Sequence, residues 1–303
     1  MTIHHVFANK SNIGDWLSVR GIQQLLAPLE VEEHFCDASF VPETLARLAE
    51  ATPEDLIVIG VGGLFMDYFA PFWTGLRDLA PRSAMCIWGV GYCDLKADAS
   101  HPPLDVVLEV VRACRIRVVR DALTRSYLGA DCAVDVAPCP SLVAVEPSPG
   151  GWGVLHVDNY TTVGAPAFDT MDAVCRDFAA ATGRPYRRTN NRIDRDAELE
   201  RVLSLYAASD VVVSSALHGC IIPVAMGKAV CAVSGDRKIE AFMDAAGFGE
   251  WVLDATEVEA LPRLLPGLPQ QQPVPKFVTS VRAQNGLIAE RVRMLASKRT
   301  GRE

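Results

Sequence analysis

Short runs of β-branched and aliphatic residues alternate along most of the chain with stretches whose apolar positions recur every three to four residues. The first half reads as a strand over 4–8, then a helix over 15–27 through Trp16, Val19, Ile22, Leu25 and Leu26. A strand over 31–36 and a helix over 42–51, opened by proline in its first turn, come next. A continuous apolar strand over 55–60 enters the glycine turn Gly60-Val-Gly-Gly63, and 66–79 is partly helical despite Pro71. A strand over 84–88 ends in a second glycine turn, Gly89-Val-Gly91. A helix near 104–112 then leads to a strand over 116–119 that runs into Arg120-Asp121.

Prolines and glycines crowd residues 138–153, which reads as an interdomain linker. Beyond it the pattern restarts: strand 154–157, helix 168–181, strand 186–189 and helix 194–208. The apolar run after Asp210 ends in Ser214-Ser215, and an apolar helix closes on Gly227-Lys228. Strand 229–233, helix 238–246 and an amphipathic helix over 278–297 complete the chain. Such alternation specifies parallel sheets covered by helices on both faces. The expected fold class is α/β, with two Rossmann-like domains (1–147 and 148–274) facing across a cleft. The tail, 275–303, is predicted to pack back across the first domain.

With 303 residues the chain can bury two cores. A net charge of -8 argues against a nucleic-acid partner. No run of about eighteen apolar residues predicts a membrane span, and the N-terminus lacks the features of a signal peptide, so a cytoplasmic location is expected. The nine cysteines form no C-x-x-C pair and read as reduced core filler rather than disulfides or zinc ligands.

Chemistry is sought where strands end, because open α/β sheets bind ligands outside the carboxyl ends of their strands. In the first such loop, Asn12 and Asp15 face the cleft and Gly14 permits close approach, or the loop is merely a turn with a helix cap. Gly60-Val-Gly-Gly63, with Gly62 and Gly63, lacks the third glycine and the acidic partner of a dinucleotide fingerprint. It is either a ligand loop or a sharp turn. Arg120 can grip phosphate or carboxylate, or simply pair with Asp121. His218 is the strongest candidate, since it follows a hydroxyl-tipped strand and opens a helix whose N-terminus attracts anions. Ser214 or Ser215 is expected to orient its ring or bind an oxyanion, and Arg237 and Lys238 to meet the same anion. Arg184, Arg187, Arg188, Arg192 and Arg195 either hold a pyrophosphate-bearing acceptor or form a solvated face.

In order and spacing these segments resemble the polysaccharide pyruvyl transferase family, from about Asn9 to Gly247. Asn12-Ile-Gly-Asp15 matches its N-x-G-D loop, and Gly60-Val-Gly-Gly63 its glycine turn. Val118-Val-Arg-Asp121 matches its Arg-Asp strand end. Ser214 through Lys238, including Leu217, His218 and Gly219, matches its S-R-L-H-G signature and the lysine-bearing loop beyond. The resemblance implies a fold like the B-type glycosyltransferases. It implies transfer of the pyruvyl group of phosphoenolpyruvate to two saccharide hydroxyls, with ketal formation, phosphate release and no cofactor or metal. On that footing His218 is the general acid, Arg120 holds the donor and Asp15 accepts a hydroxyl proton. The acceptor would be a saccharide or glycan; a lipid-linked one would bring peripheral membrane contact. Two positions depart from the family: Ala216 replaces its arginine and Cys139 its frequent aspartate, so Lys238, Arg237 or the 184–195 arginines must supply the missing charge. Two other readings stay open. One is a sugar-nucleotide-dependent glycosyltransferase using Asp236 or Glu240; the other is a noncatalytic carbohydrate-binding relative.

Overall fold

The computed structural model describes residues 1–81, 83–96, 102–159, 163–193 and 197–299. Seven strands form the first sheet: β1 (Ile3–Phe7), β2 (Val31–Phe35), β3 (Leu56–Ile59), β4 (Gly62–Phe65), β5 (Ala84–Tyr92), β6 (Ile116–Val119) and β7 (Asp135–Val136). They pair in parallel in the order β2-β1-β3-β5-β6-β7, with β4 joined to β5. Helices α1 (Ile13–Leu26), α2 (Val41–Ala49), α3 (Ala70–Leu79), α4 (Leu104–Ala113) and α5 (Ala122–Leu128) alternate with them.

After the short helix α6 (Ser141–Ala144) the second sheet comprises β8 (Val154–Val157), β9 (Tyr186–Thr189), β10 (Val211–Ser214), β11 (Ala229–Ser234) and β12 (Val252–Asp254). Its order is β12-β11-β10-β8-β9, again all parallel. Its helices are α7 (Ala165–Thr182), α8 (Ala197–Ala207), α9 (Leu217–Met226), α10 (Arg237–Ala245) and α11 (Leu261–Leu264), before the long closing helix α12 (Pro275–Arg299). Every residue of β3, β5, β8, β10 and β11 is buried. Strands covered on both faces have no polar side to alternate, which explains their unbroken apolar runs.

Three expectations change. The second glycine turn does not exist: β5 continues to Tyr92, and its register shifts between Trp88 and Val90. Gly89 is absorbed as a bulge rather than ending the strand. The segment read as linker contains α6, whose Leu142 is fully buried, packed on α1 and α12. Proline and glycine mark its turns correctly, but an apolar helical turn between them is pulled into the core. The helix expected from 194 is observed from Ala197; residues 194–196 lie outside the described set.

One apolar cluster runs from one half to the other. Ile13 and Leu17 of α1 and Leu142 of α6 pack with Leu217 and Ile221 of α9 and with Leu155 and Val212 of the second sheet. Backbone pairing reinforces this seam: Ile13 N–H donates to Asn191 O at 2.9 Å, and Lys96 N–H to Gly235 O at 3.0 Å. Helix α12 adds Val278 and Val281 to the same cluster and Ile288, Ala289 and Val292 to the core beneath the first sheet. Its Arg282 donates to the carbonyls of Leu142 and Val145 at 3.0 and 2.6 Å, capping α6.

Asn285 of α12 is fully buried, accepts from Trp88 Nε1 at 2.8 Å and donates to Pro138 O at 3.1 Å. Replacing it by leucine leaves both partners unpaired in the core. Asn285→Leu is expected to cost roughly 2–4 kcal/mol, read from urea unfolding.

Candidate functional site

Three helices begin at one place. The third residue of α1 is Asp15, the second of α9 is His218 and the second of α10 is Lys238. A fourth group, Arg120, stands just before Asp121, the N-cap of α5. These four side chains line one polar cavity of about 160 Å³ between the two sheets, with Asn12, Gly62, Gly63, Asn159, Asn191, Ala216 and Leu217 completing its wall. Helix N-termini carry partial positive charge and unsatisfied N–H groups. Their convergence, with two cationic side chains, gives the cavity the features of an anion-binding site.

Local sequence sets each group. Asn12 caps α1 by accepting from Gly14 N–H at 2.8 Å, so it is both the cap and a cavity residue, and Asp15 is left facing inward. Gly14 is required by contact: a Cβ there would lie 1.9 Å from His218 Nδ1. Gly62 has φ +91°, and a Cβ on it would lie 2.9 Å from Asp15 Oδ1. An L-side chain fits neither the backbone nor the space. Arg120 is buried, donates through Nε to Asp121 Oδ2 at 3.0 Å and through Nη2 to Tyr92 O at 3.1 Å. Its ion pair therefore orients a guanidinium that still reaches the cavity. Lys238 Nζ lies 2.6 Å from Asp236 Oδ2 and 3.2 Å from Cys93 Sγ.

Burial pushes the Asp15 carboxyl up to about 6, against the opposing pull of Arg120 and Lys238. Burial, and then the same two cations, push His218 down to about 3. At neutral pH the ligand-free imidazole is neutral. It is not sealed in hydrocarbon, since the ring lines the cavity, while its Nε2 faces Ser18 Oγ at 3.4 Å and Cys139 Sγ at 3.5 Å.

Several expected site residues lie elsewhere. Ser214 Oγ accepts from Ala216 N–H and donates to Ala216 O, at 2.9 and 3.0 Å, closing the turn before α9. Ser215 Oγ accepts from Asn159 N–H at 2.8 Å. Neither serine lines the cavity; Ser18 and Cys139 flank the His218 ring instead. Gly219 packs on Ser214 and Val157, where an added Cβ would lie 2.0 Å from Ser214 Oγ. Arg237 is exposed and paired with Asp94 at 2.8 Å, because the second residue of a helix turns away from the first.

The arginine group also disperses. Arg184 pairs with Asp210 at 3.0 Å and stacks on Trp152, and Arg188 pairs with Asp158 at 2.8 Å; Arg195 lies outside the described residues. Asp236 and Glu240, the ribose candidates, are ion-paired with Lys238 and Lys96.

The strand-end argument missed Asn159, Asn191 and the contacts of Cys93 and Cys139. Asn159 follows the carboxyl end of β8 and was legible by the rule that found Asn12. Asn191 had no such signal: it reaches the cavity from a left-handed backbone position, φ 61°, inside the arginine-rich segment. The nine cysteines are free and buried, yet Cys93 touches Lys238 and Cys139 touches His218, so these two are more than filler.

The sequence profile of the polysaccharide pyruvyl transferases matches residues 12–237, which run from the cap of α1 to the start of α10 and carry all these groups but Lys238. The chain belongs to the polysaccharide pyruvyl transferase family. No curated protein matches it in sequence. Among solved structures, the UDP-GlcNAc 2-epimerase of Methanocaldococcus jannaschii, in complex with UDP-GlcNAc and UDP, is similar with a TM-score of 0.56 at 8% identity, covering 97% of this chain and 99% of that one. A Staphylococcus aureus MnaA–UDP co-structure gives a TM-score of 0.58 at 10% identity, covering 100% and 97%. Identities this low establish fold alone: two Rossmann-like domains facing one another, as in the B-type glycosyltransferases. Among the described residues no helix is long and apolar enough to cross a membrane.

In this family member Ala216 lines the cavity where the family arginine is expected, and Cys139 touches the histidine where an aspartate is frequent. A carboxylate at 139 would stabilise the imidazolium, which a thiol does not. Cys139→Asp is expected to raise the pKa of His218 by roughly one to three pH units, measured by NMR titration of the ring protons. An unchanged titration would mean that position 139 does not govern the ring.

Proposed function

We propose that this protein transfers the pyruvyl group of phosphoenolpyruvate onto two hydroxyls of a saccharide or glycan, forming a cyclic ketal and releasing phosphate. One observation carries the reading: Asp15, His218, Arg120 and Lys238 share a small cavity fed by three helix N-termini. Phosphoenolpyruvate carries a phosphate dianion and a carboxylate on three carbons, and Arg120 with Lys238 supplies two fixed cations for it. Lys238 takes the part of the arginine that Ala216 replaces.

The pKa directions exchange the roles expected for the two proton-transfer groups. A bound polyanion raises both values. Asp15 starts higher, at about 6 against about 3 for His218, so it takes up the first proton and His218 stays neutral. In this proposal Asp15 protonates the methylene carbon of the donor. Carbon 2 becomes electrophilic, and a saccharide hydroxyl attacks it as neutral His218 accepts the hydroxyl proton. The carbon–oxygen bond to phosphate then breaks, with Arg120 and Lys238 stabilising the departing charge. The second hydroxyl closes the ketal, and its proton leaves with the phosphate. The sugar-nucleotide alternative finds little support in the cavity, since Asp236 and Glu240 are held in ion pairs.

Phosphate release from phosphoenolpyruvate, assayed with a panel of oligosaccharide acceptors, tests this reading. The wild-type protein is expected to release phosphate only with an acceptor, and Asp15→Asn to lower kcat by roughly 10²–10⁴. A group raised to about 6 that must be protonated is lost as pH climbs, so kcat/KM should fall above about pH 6. Binding of nucleoside diphosphates but not phosphoenolpyruvate in saturation-transfer NMR would overturn the proposal.

Ala216→Arg restores a cation at the cavity wall. It is expected to tighten phosphoenolpyruvate binding about tenfold or more, consistent with about 1.5–3 kcal/mol for a charge-assisted hydrogen bond, measured by titration calorimetry. No gain would mean that Lys238 already satisfies the anion.

A further inference from the structure

Away from the cavity, one group of metal-type ligands is formed among the described residues by His4, Glu32 and His34. Strand register assembles it. His4 of β1 stands opposite Glu32 of β2, and His34 lies two residues further along β2, so all three share one face of the sheet. His4 Nδ1 lies 3.0 Å from His34 Nε2. Glu32 approaches His4 Nδ1 to 3.7 Å through Oε2 and His34 Nε2 to 3.8 Å through Oε1. Two ligands about 2.0–2.1 Å from a zinc ion at the tetrahedral angle stand about 3.3 Å apart. The two ring nitrogens stand slightly closer than that, and each ring has one Glu32 oxygen slightly beyond it.

The surroundings also suit an ion. The imidazoles are 7% and 6% exposed, whereas the Glu32 side chain is 41% exposed, leaving a path and a fourth position for water. His4 Nε2 is buried without a hydrogen-bond partner, and the nearest carboxylate oxygen, Asp55 Oδ2, is 4.0 Å away. A histidine that ligates through Nδ1 carries its proton on Nε2 and points it at such a carboxylate. Asp55 is fixed for that role by Thr2 N–H at 2.6 Å and Thr52 N–H at 2.8 Å. Arg47 donates to Glu32 Oε1 at 3.3 Å, the outer hydrogen bond that ligating carboxylates commonly carry.

We propose that His4, Glu32 and His34 form a binding site for a zinc-class divalent cation, with water as fourth ligand. Two imidazoles and a carboxylate select such an ion over magnesium or calcium. β2 is the edge strand of its sheet, and the ion would tie it to β1. The site lies toward the amino end of β1, away from the Asn12–Asp15 loop, and does not depend on the reaction proposed above.

The full-length protein, stripped with chelator, is titrated with CoCl₂ and then ZnCl₂. Expected are the visible bands of four-coordinate Co²⁺ at one equivalent, without thiolate charge transfer, their displacement by Zn²⁺, and a higher Tm with Zn²⁺. Glu32→Gln changes a partly exposed residue and should preserve the fold while weakening binding at least about tenfold; His34→Gln should abolish it. Absence of the bands in wild type, or equal Zn²⁺ affinity in Glu32→Gln, overturns the proposal.

Discussion

The arrangement depends on an apolar seam. Ile13, Leu17 and Leu142 on one side pack with Leu217 and Ile221 on the other, and this contact turns the carboxyl ends of two parallel sheets toward each other. Apart, Asp15, His218, Arg120 and Lys238 would be ordinary strand-end residues in water. Closed by the seam, they share a partly desolvated space, in which burial raises the Asp15 carboxyl to about 6 and lowers His218 to about 3.

Arg120 and Lys238 each keep one internal anionic partner, Asp121 and Asp236, which anchors them at the cavity wall. Burial, and then both cations, suppress a positive charge on His218. Cys139 in place of a carboxylate leaves that suppression unopposed, and Ala216 leaves room where another cation would add to it. The polyanion proposed above would raise the pKa of both Asp15 and His218.

The same two-lobed architecture holds UDP-GlcNAc and UDP in the Methanocaldococcus jannaschii epimerase. Architecture alone therefore does not name a substrate. In this chain Asp236 and Glu240, the acidic residues that would be sought for a ribose, are paired with Lys238 and Lys96, and Arg120 and Lys238 line the cavity.

Periodicity determined the alternation of strands and helices, because parallel strands covered on both faces leave unbroken apolar runs and their helices a three-to-four-residue rhythm. It also determined that Asn12, Asp15, Arg120 and His218 stand at strand ends, since a strand-end loop is a local feature. Tertiary structure alone decided which of them meet. The bulge at Gly89 and the burial of α6 come from neighbours distant in sequence, as do the exit of Arg237, the pairing of Arg184 and Arg188 with carboxylates, and the arrival of Asn191 and Cys139. So does the meeting of His4 with Glu32 and His34, which strand register brings together across nearly thirty residues. Local sequence fixes backbone preference, whereas side-chain company is set by packing between segments that the sequence keeps apart.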